Sequence, residues 1–151
     1  MPSVAPSQVF ATNTDFTNLA GPPAFVQSFT AAQISAALAT AASEITGSLS
    51  SRWVMPLLQW GQDLVRFNVN IARYLLIMSR GFNPNNPAEE AYISDYDKIR
   101  KILNDIANNR YTPDQIQDSS GAAPFANAPA ATPHTVSPAP PGTTWGTNFR
   151  R

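Results

Sequence analysis

Cysteine is missing from this 151-residue chain. That removes disulfides, thiolate metal sites and cysteine nucleophiles. Histidine occurs once, at His134 in a proline-rich stretch. A catalytic triad or a zinc site needs a histidine held by partners, so His134 reads as a solvated or interface residue. Charge is scarce as well: Asp, Glu, Lys and Arg make up 13% of the residues, and ten acids balance ten bases. A dedicated nucleic-acid binder draws its affinity from many Lys and Arg on phosphates, and zero net charge argues against that class. No run reaches the roughly 18 consecutive apolar residues of a membrane span. No basic stretch followed by an apolar one opens the sequence, so the expectation is a soluble protein made in a cytoplasm, without a membrane partner. The nucleotide-binding patterns Gly-x-Gly-x-x-Gly and Gly-x-x-x-x-Gly-Lys are absent too.

What is present is unevenly spread. Of the 14 prolines, most lie outside the central part of the chain. Residues 1–29 are punctuated by Pro2, Pro6, Gly21, Pro22 and Pro23 and show no helical period, so they read as an extended arm. Phe10, Phe16, Leu19, Phe25 and Phe29 are too apolar for a plain flexible tail, and the arm is expected to pack on its own bundle or on a neighbour.

Residues 30–118 carry helical signals. Thr30 with Gln33 forms a capping-box signature, and Ile34, Leu38, Ala41, Ile45 and Leu49 recur at helical spacing. Pro56 disfavours a helical Met55, so this helix should fade near Arg52. A second helix is expected over 57–79, with Leu57, Gly61, Leu64, Ile71, Leu75 and Met78 on one stripe, Leu58, Val65, Ala72 and Leu76 widening it, and Gly81 as its cap. Asn86, Pro87 and Glu89 start a third helix running to about residue 108, whose buried face holds Tyr92, Tyr96, Ile99, Leu103 and Ile106. Thr112 and Pro113 begin one short further turn. The fold class is therefore all-α: a small bundle of three main helices plus a short fourth turn, with extended N- and C-terminal arms. The expected core includes Ile45, Leu49, Leu64, Ile71, Leu75, Tyr96, Ile99 and Leu103.

Charge is segregated within the bundle. Residues 52–80 hold four arginines against Asp63, a formal +3, while residues 81–118 hold seven acids against four bases, a formal −3. Glu89, Glu90, Asp95 and Asp97 could be taken for paired catalytic carboxylates. They sit in the first turns of a helix, where acids complement the dipole, and that reading is preferred. No enzymatic activity, cofactor or metal is expected. Residues 119–151 form a second, Pro- and Ala-rich arm that would be extended when free. Its apolar and basic groups, Phe125, Trp145, Phe149, Arg150 and Arg151, read as an anchor that gains its ordering energy on a partner.

Three ordered phrases in the bundle carry a resemblance. Ala41, Glu44, Ile45, Leu49, Arg52, Trp53, Pro56 and Leu57 form the first; Asn70, Ile71, Ala72, Arg73, Tyr74 and Leu76 the second; Tyr96, Leu103, Ile106 and Ala107 the third. In order and spacing they resemble the head-completion or head–tail adaptor proteins of Mu-like prophages. Asn70 departs from the usual Asp of that pattern, and Asn108 and Asn109 stand where a Gly is usual.

The resemblance implies a structural virion protein of the phage neck, a homo-oligomeric ring usually of twelve subunits. Such a ring joins the portal protein to the next neck or tail protein and closes the filled head. Packaged double-stranded DNA would pass through its lumen without sequence-specific binding. The location implied is the head–tail interface, reached from the host cytoplasm during assembly. Because Glu44 and Arg73 both belong to the shared phrases and flank core positions, they are the candidate structural ion pair, in preference to Arg73 facing a DNA channel. The competing function is a non-enzymatic regulatory or scaffolding module that docks a soluble partner through its C-terminal arm. A hydrolase built on the acidic cluster ranks third.

Overall fold

Local hydrogen bonding starts the long helices in the computed structural model, which describes residues 8–120. Thr30 accepts from the Gln33 amide and Gln33 returns a bond to the Thr30 backbone, closing a capping box at the head of α3 (Ala31–Leu49). Gly81, at φ +100°, caps α4 (Gln62–Arg80) by donating to the Ile77 carbonyl. Asn86 caps α5 (Pro87–Ala107), with Pro87 in its first turn and Glu89 and Glu90 near the positive end of the dipole. The fold is all-α around these three helices. α3 and α4 share the largest interface, and α5 packs against both.

The segment before α3 is not an extended arm. Residues Asn13–Leu19 form α1 and Pro23–Gln27 form α2. Thr12 and Asp15 close a second capping box, which supplies the local start signal for α1. Phe16 and Ala20 are fully buried, and Phe10 nearly so. The short α1 has too few residues to display a helical period. It forms because its apolar face covers α3 and α4.

Four polar anchors tie this segment down. The Gln8 side chain exchanges two hydrogen bonds with the Leu57 backbone, at 2.6 and 2.7 Å. The Trp60 indole donates to the Phe10 carbonyl at 3.0 Å, and the two rings meet edge to face. The Ala11 amide donates to Asn68 Oδ1 at 2.9 Å. Arg73 donates to the Ala20 carbonyl at 3.2 Å.

Residues 57–59 are extended rather than helical. Leu57–Gln59 form β1, which pairs antiparallel with β2 (Gln117–Asp118). The register sets Leu57 against Asp118 and Gln59 against Gln117, with an irregularity between them. The Met55–Pro56 peptide is cis. Gly61 lies outside the helical stripe, as the residue before α4. Its amide donates to the Asp114 carbonyl at 3.2 Å, and a Cβ there would stand 2.7 Å from that oxygen, so only glycine allows the approach. The expected fourth turn at 112–115 is not helical. It is a non-helical turn at 114–115, with Gln115 at φ +57°, that delivers Ile116 to the core and leads into β2.

Ile45, Leu49, Leu64 and Ile71 are fully buried, and Tyr96, Ile99 and Leu103 nearly so. Leu75 is half-buried at the edge of the core, and Met78 is exposed. Val65, Ala72 and Leu76, which widen the stripe, are buried as expected, Leu58 is exposed, and Ile77 is buried as well. Covered by α3, α5 and α1 together, α4 buries a broader arc than the stripe read from its spacing.

Candidate partner interface

The expected Glu44–Arg73 ion pair does not form. Arg73 points to the other side of α4, into the space closed by α1 and α5. Only 6% exposed, it donates to Ala20 and to Asp95 (3.5 Å) and lies 3.9 Å from the centre of the Tyr92 ring. Its Nε is buried without a hydrogen-bond partner. Burial pulls the guanidinium pKa down, opposed by Tyr92 and Asp95. Tyr74 is the α4 residue on the Glu44 side: it stacks flat on Tyr96, ring centres 3.8 Å apart, and the Tyr96 hydroxyl reaches Glu44 at 3.4 Å. Burial first, and the Glu44 charge second, raise the Tyr96 pKa. The phrase Arg73-Tyr74 is thus structural on both flanks of α4: arginine clamps the N-terminal segment and tyrosine joins α5.

The acidic pair at the head of α5 is also accounted for. Glu89, 3% exposed, accepts from Arg80, from the Asn83 amide at 2.9 Å and from the Asn86 side chain at 3.2 Å. It locks the α4–α5 loop. Glu90 is exposed.

The surface most open to a partner lies at the sheet end of the bundle. Val54 and Leu58 are 55% and 61% exposed, the largest exposures among the big apolar side chains described. Leu58 faces out because its neighbour Leu57 faces in, the alternation of a strand. The described chain enters beside this patch, where Gln8 grips Leu57, and leaves beside it, where Ser119 donates to the Val54 carbonyl. Arg52 stiffens the same end. Its guanidinium donates to the Tyr111 carbonyl at 2.8 Å and the Thr112 hydroxyl at 3.1 Å, and stacks on Trp53. Trp60 packs on Phe10, and Trp53 sits half-buried beside the patch. The exposed Val54–Leu58 pair could be read only once residues 57–59 were known to be a strand.

The anchor residues Phe125, Trp145, Phe149, Arg150 and Arg151, and His134, lie outside the described residues. Among the described residues, no helix is long and apolar enough to cross a membrane.

The described residues thus form a helical bundle with exposed apolar side chains, Val54 and Leu58, at its sheet end. The family model described as "Bacteriophage Mu, Gp36" matches residues 8–130, and the chain belongs to that family of Mu-like phage proteins. No curated protein and no solved structure matches it.

Proposed function

We infer that this protein is a structural, non-enzymatic component of the phage neck: an adaptor ring that joins the capsid portal to the next neck or tail protein and closes the DNA-filled head. The observation that carries the reading is membership of the Mu Gp36 family over residues 8–130. The bundle supports it. Its buried charges serve packing, and its largest exposed apolar residues sit where the chain passes toward the segment holding Trp145 and Phe149. The assigned partners are the portal, the next neck protein, further copies of this chain (twelve in the ring the resemblance implies) and packaged DNA in the lumen. No cofactor or metal has a part in this role.

The C-terminal segment is assigned the portal contact. Trp145 and Phe149 can fill pockets between partner subunits, and Arg150 and Arg151 can pair with carboxylates at their rim. Repetition around a ring multiplies a weak single contact. Deleting residues 140–151 is expected to leave the helical circular dichroism unchanged and to abolish attachment to DNA-filled heads. Normal yields of completed heads from the truncated protein would move the portal contact to the sheet end of the bundle. Cryo-EM of the particles tests the ring itself: an isolated monomer, without cyclic neighbours, would leave the regulatory or scaffolding binding module as the better reading.

A further inference from the structure

Several charges form no ion pair within the described residues, and two of them, Glu44 and Arg66, line clefts on either side of α5. Glu44 is the only charged residue on α3. It is half-buried and lines a cleft of about 460 Å³ between α3 and α5 with Ser48, Tyr96, Arg100 and Asn104. The Tyr96 hydroxyl at 3.4 Å is a long, weak donor, and no cation stands within ion-pair distance among the described residues. Arg100 shares the cleft but lies over the Tyr96 ring, 5.9 Å from its centre. Glu90, Asp97 and Asp114 also lack a base, but all three are exposed and solvated. Glu44 is half-buried in an open cleft and forms no ion pair among the described residues, and the same holds for Asp63 in the cleft between α4 and α5.

Arg66 is its counterpart. It is exposed on α4 and lines a separate cleft between α4 and α5, with Asn70, Lys98 and Tyr111. Asp63 shares that cleft, but its carboxylate accepts from the Tyr111 hydroxyl at 3.0 Å and is not paired with Arg66. Arg66 has no ion pair or hydrogen bond among the described residues. The two clefts flank α5. Their lining residues on that helix point about 130° apart at roughly 3.6 residues per turn, so one copy cannot bring Glu44 and Arg66 together.

We propose that Arg66 of one copy enters the α3–α5 cleft of the next and pairs with Glu44, making a head-to-tail contact between copies. The inference rests on the ring reading above and names its subunit contact. The chemistry fits: a guanidinium presents a planar fork to a carboxylate, and Tyr96, stacked on Tyr74, forms a flat wall beside it. A contact between two different faces is heterologous, the kind that closes into a ring when its rotation allows.

Charge exchange tests the contact in the particles that carry the protein. Glu44→Arg alone sets two guanidinium groups against each other at every contact, and Arg66→Glu alone sets two carboxylates. Each is expected to lower the yield of completed heads at least about tenfold, because like charges across an interface are strongly penalised. The double exchange is expected to restore the yield to within about threefold. Co-production of the two single variants should do the same, since alternating copies then present opposite charges at every contact.

A second measurement does not depend on the exchanged variants folding. The chain has no cysteine, so Glu44→Cys with Arg66→Cys introduces its only thiols. Treating assembled particles with a short bis-maleimide should give a ladder of covalent oligomers, while either single-cysteine variant gives none beyond a dimer. Normal head yields from both single exchanges overturn the contact and leave the ring standing. So does a folded double exchange as defective as the single ones, or a missing ladder from particles whose ring is visible. A neck without a cyclic array of this chain overturns the ring reading, and the contact with it.

Discussion

Asn68 shows how one side chain can hold two elements together. It is fully buried, its Oδ1 accepts from the Ala11 amide, and its Nδ2 donates to the Leu38 carbonyl, both at 2.9 Å. The Leu38 carbonyl belongs to the middle of α3, and Ala11 lies just ahead of α1. One amide therefore fixes the N-terminal segment, α4 and α3 at a point that water does not reach. Asn68→Ala strands a buried donor and a buried acceptor and is expected to cost about 2–4 kcal/mol. Urea unfolding of the variant checks this. A loss below about 0.5 kcal/mol, the range of surface substitutions, would place Asn68 on the surface. Nothing local in the sequence singles out Asn68, since both of its partners are distant in the chain. Arg73 was singled out for burial beside the core, but its partner was misassigned, because the carbonyl it serves belongs to a segment expected to be extended.

At the scale of elements, α4 is the axis of the molecule. α3, α5 and α1 all pack on it, so burial reaches most of the way around its circumference. The apolar spacing of Leu64 and Ile71 was enough to find the helix. The position of its edges depends on which neighbours arrive, and α1 was not foreseen. Ile71→Ala, at a fully buried site, is expected to cost about 2–5 kcal/mol. Leu75→Ala, at a half-buried site, should cost about half as much or less. Thermal melts of the two variants measure the difference. Equal losses would mean that the helix is rotated toward the stripe read from its spacing. The strand at 57–59 was missed for a related reason. A run of three or four apolar residues fits a helix or a strand equally well, and the partner that decides lies some sixty residues further on, at Gln117 and Asp118.

At the scale of the whole molecule, the N-terminal segment belongs to the core. Deleting residues 1–29 would uncover the sites of Phe10, Phe16 and Ala20 on α3 and α4, and would leave Asn68 Oδ1 without the Ala11 amide and Arg73 without the Ala20 carbonyl. Each large aromatic removed from a core costs about 3–5 kcal/mol, against a typical total stability of about 5–15 kcal/mol. The truncated protein is expected to lose its cooperative melt and to bind a hydrophobic dye. A wild-type melting curve would show that the segment is an accessory strap. The contrast with removal of residues 140–151, expected to spare the fold and abolish function, separates the two ends by role.

What the sequence determined by itself was local. Thr30 with Gln33, Asn86 with Pro87, and Gly81 each act on backbone groups within about four residues, and they set where α3 and α5 start and where α4 stops. The three phrases that carry the family resemblance lie within or beside those helices. What only the tertiary structure decided spans longer separations. The bonds of Gln8 to Leu57, Ala11 to Asn68 and Ala20 to Arg73 cross 49, 57 and 53 residues of chain. Caps and turn residues compete only with their neighbours, and their preferences can be read in order along the chain. A long-range contact is selected from every surface the folded chain presents. Arg73 ended beneath Ala20 because Phe10, Phe16 and Ala20 found cover on α3 and α4 and brought a whole segment with them, and Glu44 ended beside Tyr96 because α5 packs on α3.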